Sequence, residues 1–131
     1  MTGLNQRKFT SSIFLTFSGN CKEALTFYQM CFGGTVQFET FDKQLHDFPD
    51  RPIVSGSVVA DSIIIHGSDL VPDEGRILGN YMAIFIKCAN MGARRELIEK
   101  LNSDKVGYLA KDNYKVIEVV DRFDIRWMLY V

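Results

Sequence analysis

Few side chains in this 131-residue chain could do chemistry, and the two histidines come first. His66 ends the apolar run Ile63-Ile64-Ile65, and histidine is the residue type suited to proton transfer, metal ligation or a hydrogen bond to a ligand. A lone histidine is more often structural or solvated. His46 stands among Asp42, Asp47 and Asp50, four residues after Asp42. The prolines of 42–52 work against a helix there, so a solvated loop is the simpler account than a metal site. Cys21 falls in the first turn of an expected helix, where the dipole could lower its pKa. It also lies on that helix's apolar stripe, which favours a buried, inert thiol. Arg94, Arg95 and Glu96 read as a solvated helix face, and Trp127 as a core or dimer anchor, with a pocket wall as the alternative. No Ser/His/Asp or Cys/His set is legible by spacing.

The elements that must position these residues follow from periodicity. Ile13-Phe14-Leu15-Thr16-Phe17 is a short β-branched and aromatic run, hence a strand. Asn20 is an N-cap residue type with Glu23 three places on, a partial capping box. Cys21, Ala24, Leu25, Tyr28, Cys31 and Phe32 form one apolar helical face, and Gly33-Gly34 stops the helix, which spans about 20–33. Residues 35–41 alternate as a half-buried strand, and 42–52 read as a long loop. Residues 53–60 and 63–66 form a hairpin around Asp61-Ser62, followed by a loop over 67–79.

A second cycle repeats the order. It has a strand at 81–86, a helix at about 90–102 capped by Asn90, a weaker strand at 106–110, and strands at 114–120 and 125–131 around a turn at 121–124. Arg94, Leu97, Ile98 and Leu101 share one side of the second helix. Ile13 matches Met82 and Asn20 matches Asn90, so each cycle reads βαβββ. The fold class is α+β, one domain over 1–131 with module 1 at about 12–66 and module 2 at about 81–131.

Bulk properties narrow the function classes. Hydrophobic residues make up 47% and charged residues 24%, enough for an ordinary packed core. The net charge of −1 gives no footprint for nucleic acid or an anionic membrane. Three cysteines without C-x-x-C spacing make neither a disulfide framework nor a zinc ribbon, so a cytoplasmic setting is expected. Residues 1–12 lack the apolar core of a signal peptide, and no apolar run approaches transmembrane length.

The run Asn20 to Tyr28, followed by Phe32-Gly33-Gly34, resembles the N-terminal signature of the vicinal oxygen chelate superfamily. That superfamily includes glyoxalase I, extradiol dioxygenases and bleomycin and fosfomycin resistance proteins. Ile64 to Asp69 and Asp121 to Met128 resemble its PhnB-like branch, and the likeness runs from about Ser12 to the end. Asp124 departs from the glycine usual there, but aspartate tolerates the left-handed region the turn needs. Some relatives carry a ubiquinone-pathway methyltransferase label. This chain has no Gly-rich nucleotide loop to match it.

The resemblance implies two βαβββ modules curled into an open cup, a two-fold homodimer, and a divalent metal held by His, Gln or Glu on the first and last strands of each module. Matched residue by residue, those places fall at Ile13, at Ile64-Ile65, at or near Met82 and at Met128, none of which offers oxygen or nitrogen. No metal, other cofactor or catalytic residue is therefore assigned. Strand parity instead gives an apolar pocket wall with a few polar groups: Leu15, Phe17, Ile64, His66, Ile84, Arg126, Met128 and Tyr130, with Ile86 on the same face as Ile84. The expected function is binding of an unidentified small molecule without a catalytic metal, with no nucleic-acid or membrane partner. The alternative is a metal-dependent lyase, isomerase or dioxygenase of the glyoxalase type.

Overall fold

The structure, a computed structural model, describes residues 8–40, 53–69, 78–105 and 114–131. The chain divides into two compact units, Met1–Arg76 and Ile77–Val131. The expected strand at 106–110, and Asp42, His46, Asp47 and Asp50 in the expected loop, lie outside the described residues.

The first unit holds β1 (Ile13–Thr16), α1 (Cys21–Phe32), β2 (Thr35–Thr40), β3 (Ile53–Val59) and β4 (Ile64–Ser68). Its sheet has the order β1-β4-β3-β2, so the first strand lies parallel to the last. The second unit holds β5 (Ile84–Lys87), α2 (Met91–Leu101), β6 (Val116–Val120) and β7 (Arg126–Tyr130). Its sheet has the order β5-β7-β6, and its first strand again lies parallel to its last. Among the described residues both units thus follow their first strand with a helix and set that strand parallel to their last, as the repeat in the sequence implies, and the fold is α+β with two small mixed sheets. Among the described residues no helix is long and apolar enough to cross a membrane.

Helix α1 forms on most of the expected stripe: Cys21, Ala24, Leu25, Tyr28 and Cys31 are buried, Phe32 is half-buried, and Phe27 is buried in addition. Each large apolar side chain so buried contributes about 1.5–3 kcal/mol. Gly33 and Gly34 end the helix at φ 78° and 84°. A β-carbon on Gly34 would sit 2.1 Å from the Val59 carbonyl oxygen, so space as well as conformation demands glycine there. The hairpin closes as expected, with Ala60 N–H donating to the Ile63 carbonyl at 3.0 Å. Asp124 takes φ 66° in the turn before β7.

Three expectations need correction. Asn20 makes no side-chain cap, because Asp69, arriving at the end of β4, supplies the acceptor instead. Asn90 does cap α2, accepting from Ala93 N at 2.8 Å. Arg94 is not solvated but fully buried, because it stands on the same helical face as Ile98 and Leu101. Its Nη1 donates to the Lys115 carbonyl at 2.9 Å, tying α2 to the neighbouring β-structure. Arg95 and Glu96 are exposed as expected. The second cycle's first strand opens at Ile84 rather than Met82. Phe17 N donates to Ser68 O and Cys88 N to Tyr130 O, so Phe17 corresponds to Cys88 and Ile13 to Ile84.

Candidate functional site

Each sheet has one face that carries its buried core and one open face, and the open faces are the candidate sites. In the first unit Ile65, Val58 and Phe17 are buried, and Gly56 and Gly67 approach Leu25 of α1. Register places Ile13 beside Ile65 and Leu15 beside Gly67, so Ile13, Leu15 and Phe17 belong to this covered face. The opposite face carries Phe14, Thr16, Ile64 and His66, with Ser57 opposite His66 and Val59 opposite Ile64. Phe14 is 62% exposed, and His66 and Ser57 are half-buried.

The second unit repeats the arrangement. Trp127, Leu129 and Val119 are buried, and register sets Ile84 beside Trp127 and Ile86 beside Leu129. The open face carries Phe85, Lys87, Arg126, Met128 and Tyr130, together with Val116, Glu118 and Val120 of β6. Phe85 is 60% exposed and stacks on Tyr130, with centroids 5.9 Å apart and planes at 29°.

Of the residues expected to line a pocket, Ile64, His66, Arg126, Met128 and Tyr130 thus stand on open faces. Leu15, Phe17 and Ile84, with Ile86, stand on covered ones, which corrects the parity taken for the first strand of each module. Ile-Phe-Leu-Thr-Phe is apolar on both of its faces, so alternation did not decide the matter, and a one-residue error inverts every side chain. The same inversion hid Phe14, Phe85 and Lys87. Arg126 is also less available than expected. Its Nε donates to Glu118 at 2.7 Å, and its Nη1 donates to the carbonyls of Asn80 at 2.6 Å and Met82 at 3.0 Å.

Two buried carboxylates hold the frame behind these faces. Asp69 Oδ1 accepts from Gly19 N at 2.8 Å and Cys21 N at 2.9 Å, and Oδ2 accepts from Ile53 N at 2.9 Å. One side chain thereby fixes the end of the β1–α1 loop, the first turn of α1 and the start of β3. Asp121 Oδ1 accepts from Phe123 N at 2.8 Å and Ile125 N at 3.2 Å, and Oδ2 accepts from Trp127 Nε1 at 2.8 Å. The residues that carry the sequence signature at 64–69 and 121–128 are, to this extent, architectural. Trp127 is a core residue. Burial, and then the negative charge of Asp69, pushes the Cys21 thiol up to about 12, so this cysteine is inert rather than nucleophilic. Burial likewise raises Cys88, partly offset by the positive charge of Arg94.

No family model matches the chain, and no curated protein matches it. Solved structures do. The PhnB protein of Bacillus cereus superposes with a TM-score of 0.71 at 17% identity, covering 95% of this chain and 98% of that one. The fosfomycin resistance protein FosX of Listeria monocytogenes, solved with Mn(II) and sulfate, gives 0.61 at 15% identity over 96% and 93%. A member of the glyoxalase/bleomycin resistance/dioxygenase superfamily from Sphaerobacter thermophilus gives 0.53 at 19% identity over 95% and 98%. The chain has the glyoxalase-like fold.

That fold implies a divalent metal, and the donor set can be tested against it. Phe14 pairs with His66 and Phe85 with Met128, so His66, not Ile64-Ile65, is the first-module counterpart of Met128. The open faces of the glyoxalase-like modules thus offer Phe14, His66, Phe85 and Met128 at matching places on their first and last strands. The first unit so offers one imidazole beside a phenyl ring and the second a phenyl ring beside a thioether, and neither set makes a site for a hard divalent ion. Glu118, the carboxylate on the open face of the second sheet, is engaged by Arg126. Among the described residues no three His, Cys, Asp or Glu side chains converge as metal ligands.

Proposed function

We propose that the protein binds a small organic molecule on its open sheet faces and needs no divalent metal to do so. The observation that carries this reading is the pair Phe14 and Phe85. They occupy the same register in the two units, and both leave more than half of their surface to solvent on the face away from the core. Burying large apolar side chains is favourable, so an exposed aromatic beside polar groups on each sheet face suits a ligand surface. His66 and Ser57 add hydrogen-bonding capacity on the first sheet, and Lys87 and Tyr130 on the second.

The second reading is metal-dependent chemistry of the glyoxalase type, by analogy with the Mn(II)-bound FosX. One observation favours it: His66 stands at the last-strand place that the superfamily resemblance gives to a ligand. Native mass spectrometry of protein purified without chelator, with nickel, zinc and manganese titrations by calorimetry, separates the two. A co-purified organic mass without stoichiometric metal is expected. Stoichiometric metal that is lost in His66→Ala would overturn the metal-free reading.

A further inference from the structure

We infer that the open face of the second sheet takes a flat aromatic ring bearing an anionic group, an inference that rests on the small-molecule reading above. Strands β5 and β7 set Phe85 beside Met128 and Lys87 beside Tyr130, which places these four side chains in a square on one face. Phe85 and Tyr130 are already stacked at 5.9 Å, and Phe85 leaves 60% of its surface open. A planar ring extends such a stack in the offset geometry that aromatic quadrupoles prefer, and a saturated ring does not. The polarizable thioether of Met128 accepts a ring edge on the same square.

Charge decides the second half of the inference. Among the described strand residues, this face carries Lys87, Arg126 and Glu118. Arg126 is bound to Glu118 and to two backbone carbonyls. Their charges cancel, and Nε, Nη1 and Nη2 of the guanidinium are each already engaged. Among the described residues no carboxylate pairs with Lys87, so the face keeps one net positive charge, held at the edge of the aromatic stack by its register with Tyr130. A carboxylate or sulfonate on the ligand's rim meets that ammonium, and a cationic ligand is repelled. The Tyr130 hydroxyl stands on the same face and can donate to the same anion.

The test compares four probes of similar shape: naphthoate, its neutral alcohol naphthylmethanol, its cation naphthylmethylammonium, and saturated decahydronaphthoate. Affinities come from calorimetry, and the place of binding comes from the methyl resonances of the five methionines. Naphthoate should bind best and move the Met128 methyl by ring current. Phe85→Ala and Lys87→Gln should each weaken it about threefold to tenfold, and Lys87→Gln should also erase the preference over naphthylmethanol. Decahydronaphthoate or the cation binding as tightly as naphthoate would overturn the inference. So would unchanged naphthoate affinity in both variants. Binding of the saturated acid alone, weakened by Phe14→Ala, would overturn the aromatic-anion assignment while the small-molecule reading stood. No binding by any probe, together with no co-purified mass, would overturn both.

Discussion

Asp69→Asn is the perturbation that tests the frame most directly. The native carboxylate is 2% exposed and accepts three backbone N–H bonds at 2.8–2.9 Å, two through Oδ1 and one through Oδ2. Asparagine keeps one acceptor oxygen, which can retain Gly19 and Cys21. Its amide group then points a donor at the Ile53 N–H, which is left buried and unpaired. Bonds to a charged acceptor contribute about 1 kcal/mol more than neutral ones, and an unsatisfied buried donor costs about 1–3 kcal/mol. Two weakened bonds and one orphaned donor give a loss of roughly 3–5 kcal/mol, a large share of the roughly 5–15 kcal/mol typical of a domain. Urea unfolding followed by Trp127 fluorescence should show a midpoint lower by roughly 1.5–2.5 M at unchanged slope. Asp61→Asn, in the exposed hairpin turn, is the control and should stay within about 0.5 kcal/mol. A loss below about 1 kcal/mol for Asp69→Asn would refute the assignment of Asp69 as the clamp of three segments.

Two further outcomes follow. The Cys21 thiol has a folded pKa raised from 9.0 to about 12, so the folded state holds its proton more tightly than the unfolded one. That contribution is fully present below about pH 9 and is lost as pH rises toward 12. Urea midpoints should therefore fall across that window and fall less in Cys21→Ala, whereas identical alkaline profiles would count against it. We also propose that the protein is a homodimer, since small open sheets expose edges that need pairing. Sedimentation equilibrium should give about twice the 14.9 kDa chain mass, and a monomer at micromolar concentration would disprove it.

Much of the fold was legible in the sequence because its signals are local. The α1 stripe, the Gly33-Gly34 stop and the Asp61-Ser62 hairpin each lie within a window of about a dozen residues, and the repeated order of elements is the sum of such local signals. What escaped depends on partners far along the chain. Asn20 is a good capping residue type, yet Asp69 reaches the same N-terminus from 48 residues away and displaces it. Arg94 carries a charge, and its place in line with Ile98 and Leu101 outweighed that charge once the Lys115 carbonyl could receive its guanidinium. The strand faces escaped for a different reason. Phe14 and Leu15, like Phe85 and Ile86, are equally apolar, so only pairing with the last strand says which of each two is covered. That ambiguity is itself what an open apolar face produces.

The parallel pairing of first and last strands also sets the order in which each unit can be completed. Ile13 finds its neighbour only when Ile65 has been made, and Ile84 only when Trp127 has. On the ribosome, β1 emerges with apolar groups on both faces and waits for the rest of its unit before any strand can pair with it. The entropy of closing that long loop has to be met before the contact is gained, which slows folding of such topologies. Helix α1 waits as well, because the carboxylate that closes its N-terminus is one residue beyond β4. A nascent first unit cut short before Asp69 would thus lack its lateral strand partner and its helix clamp together.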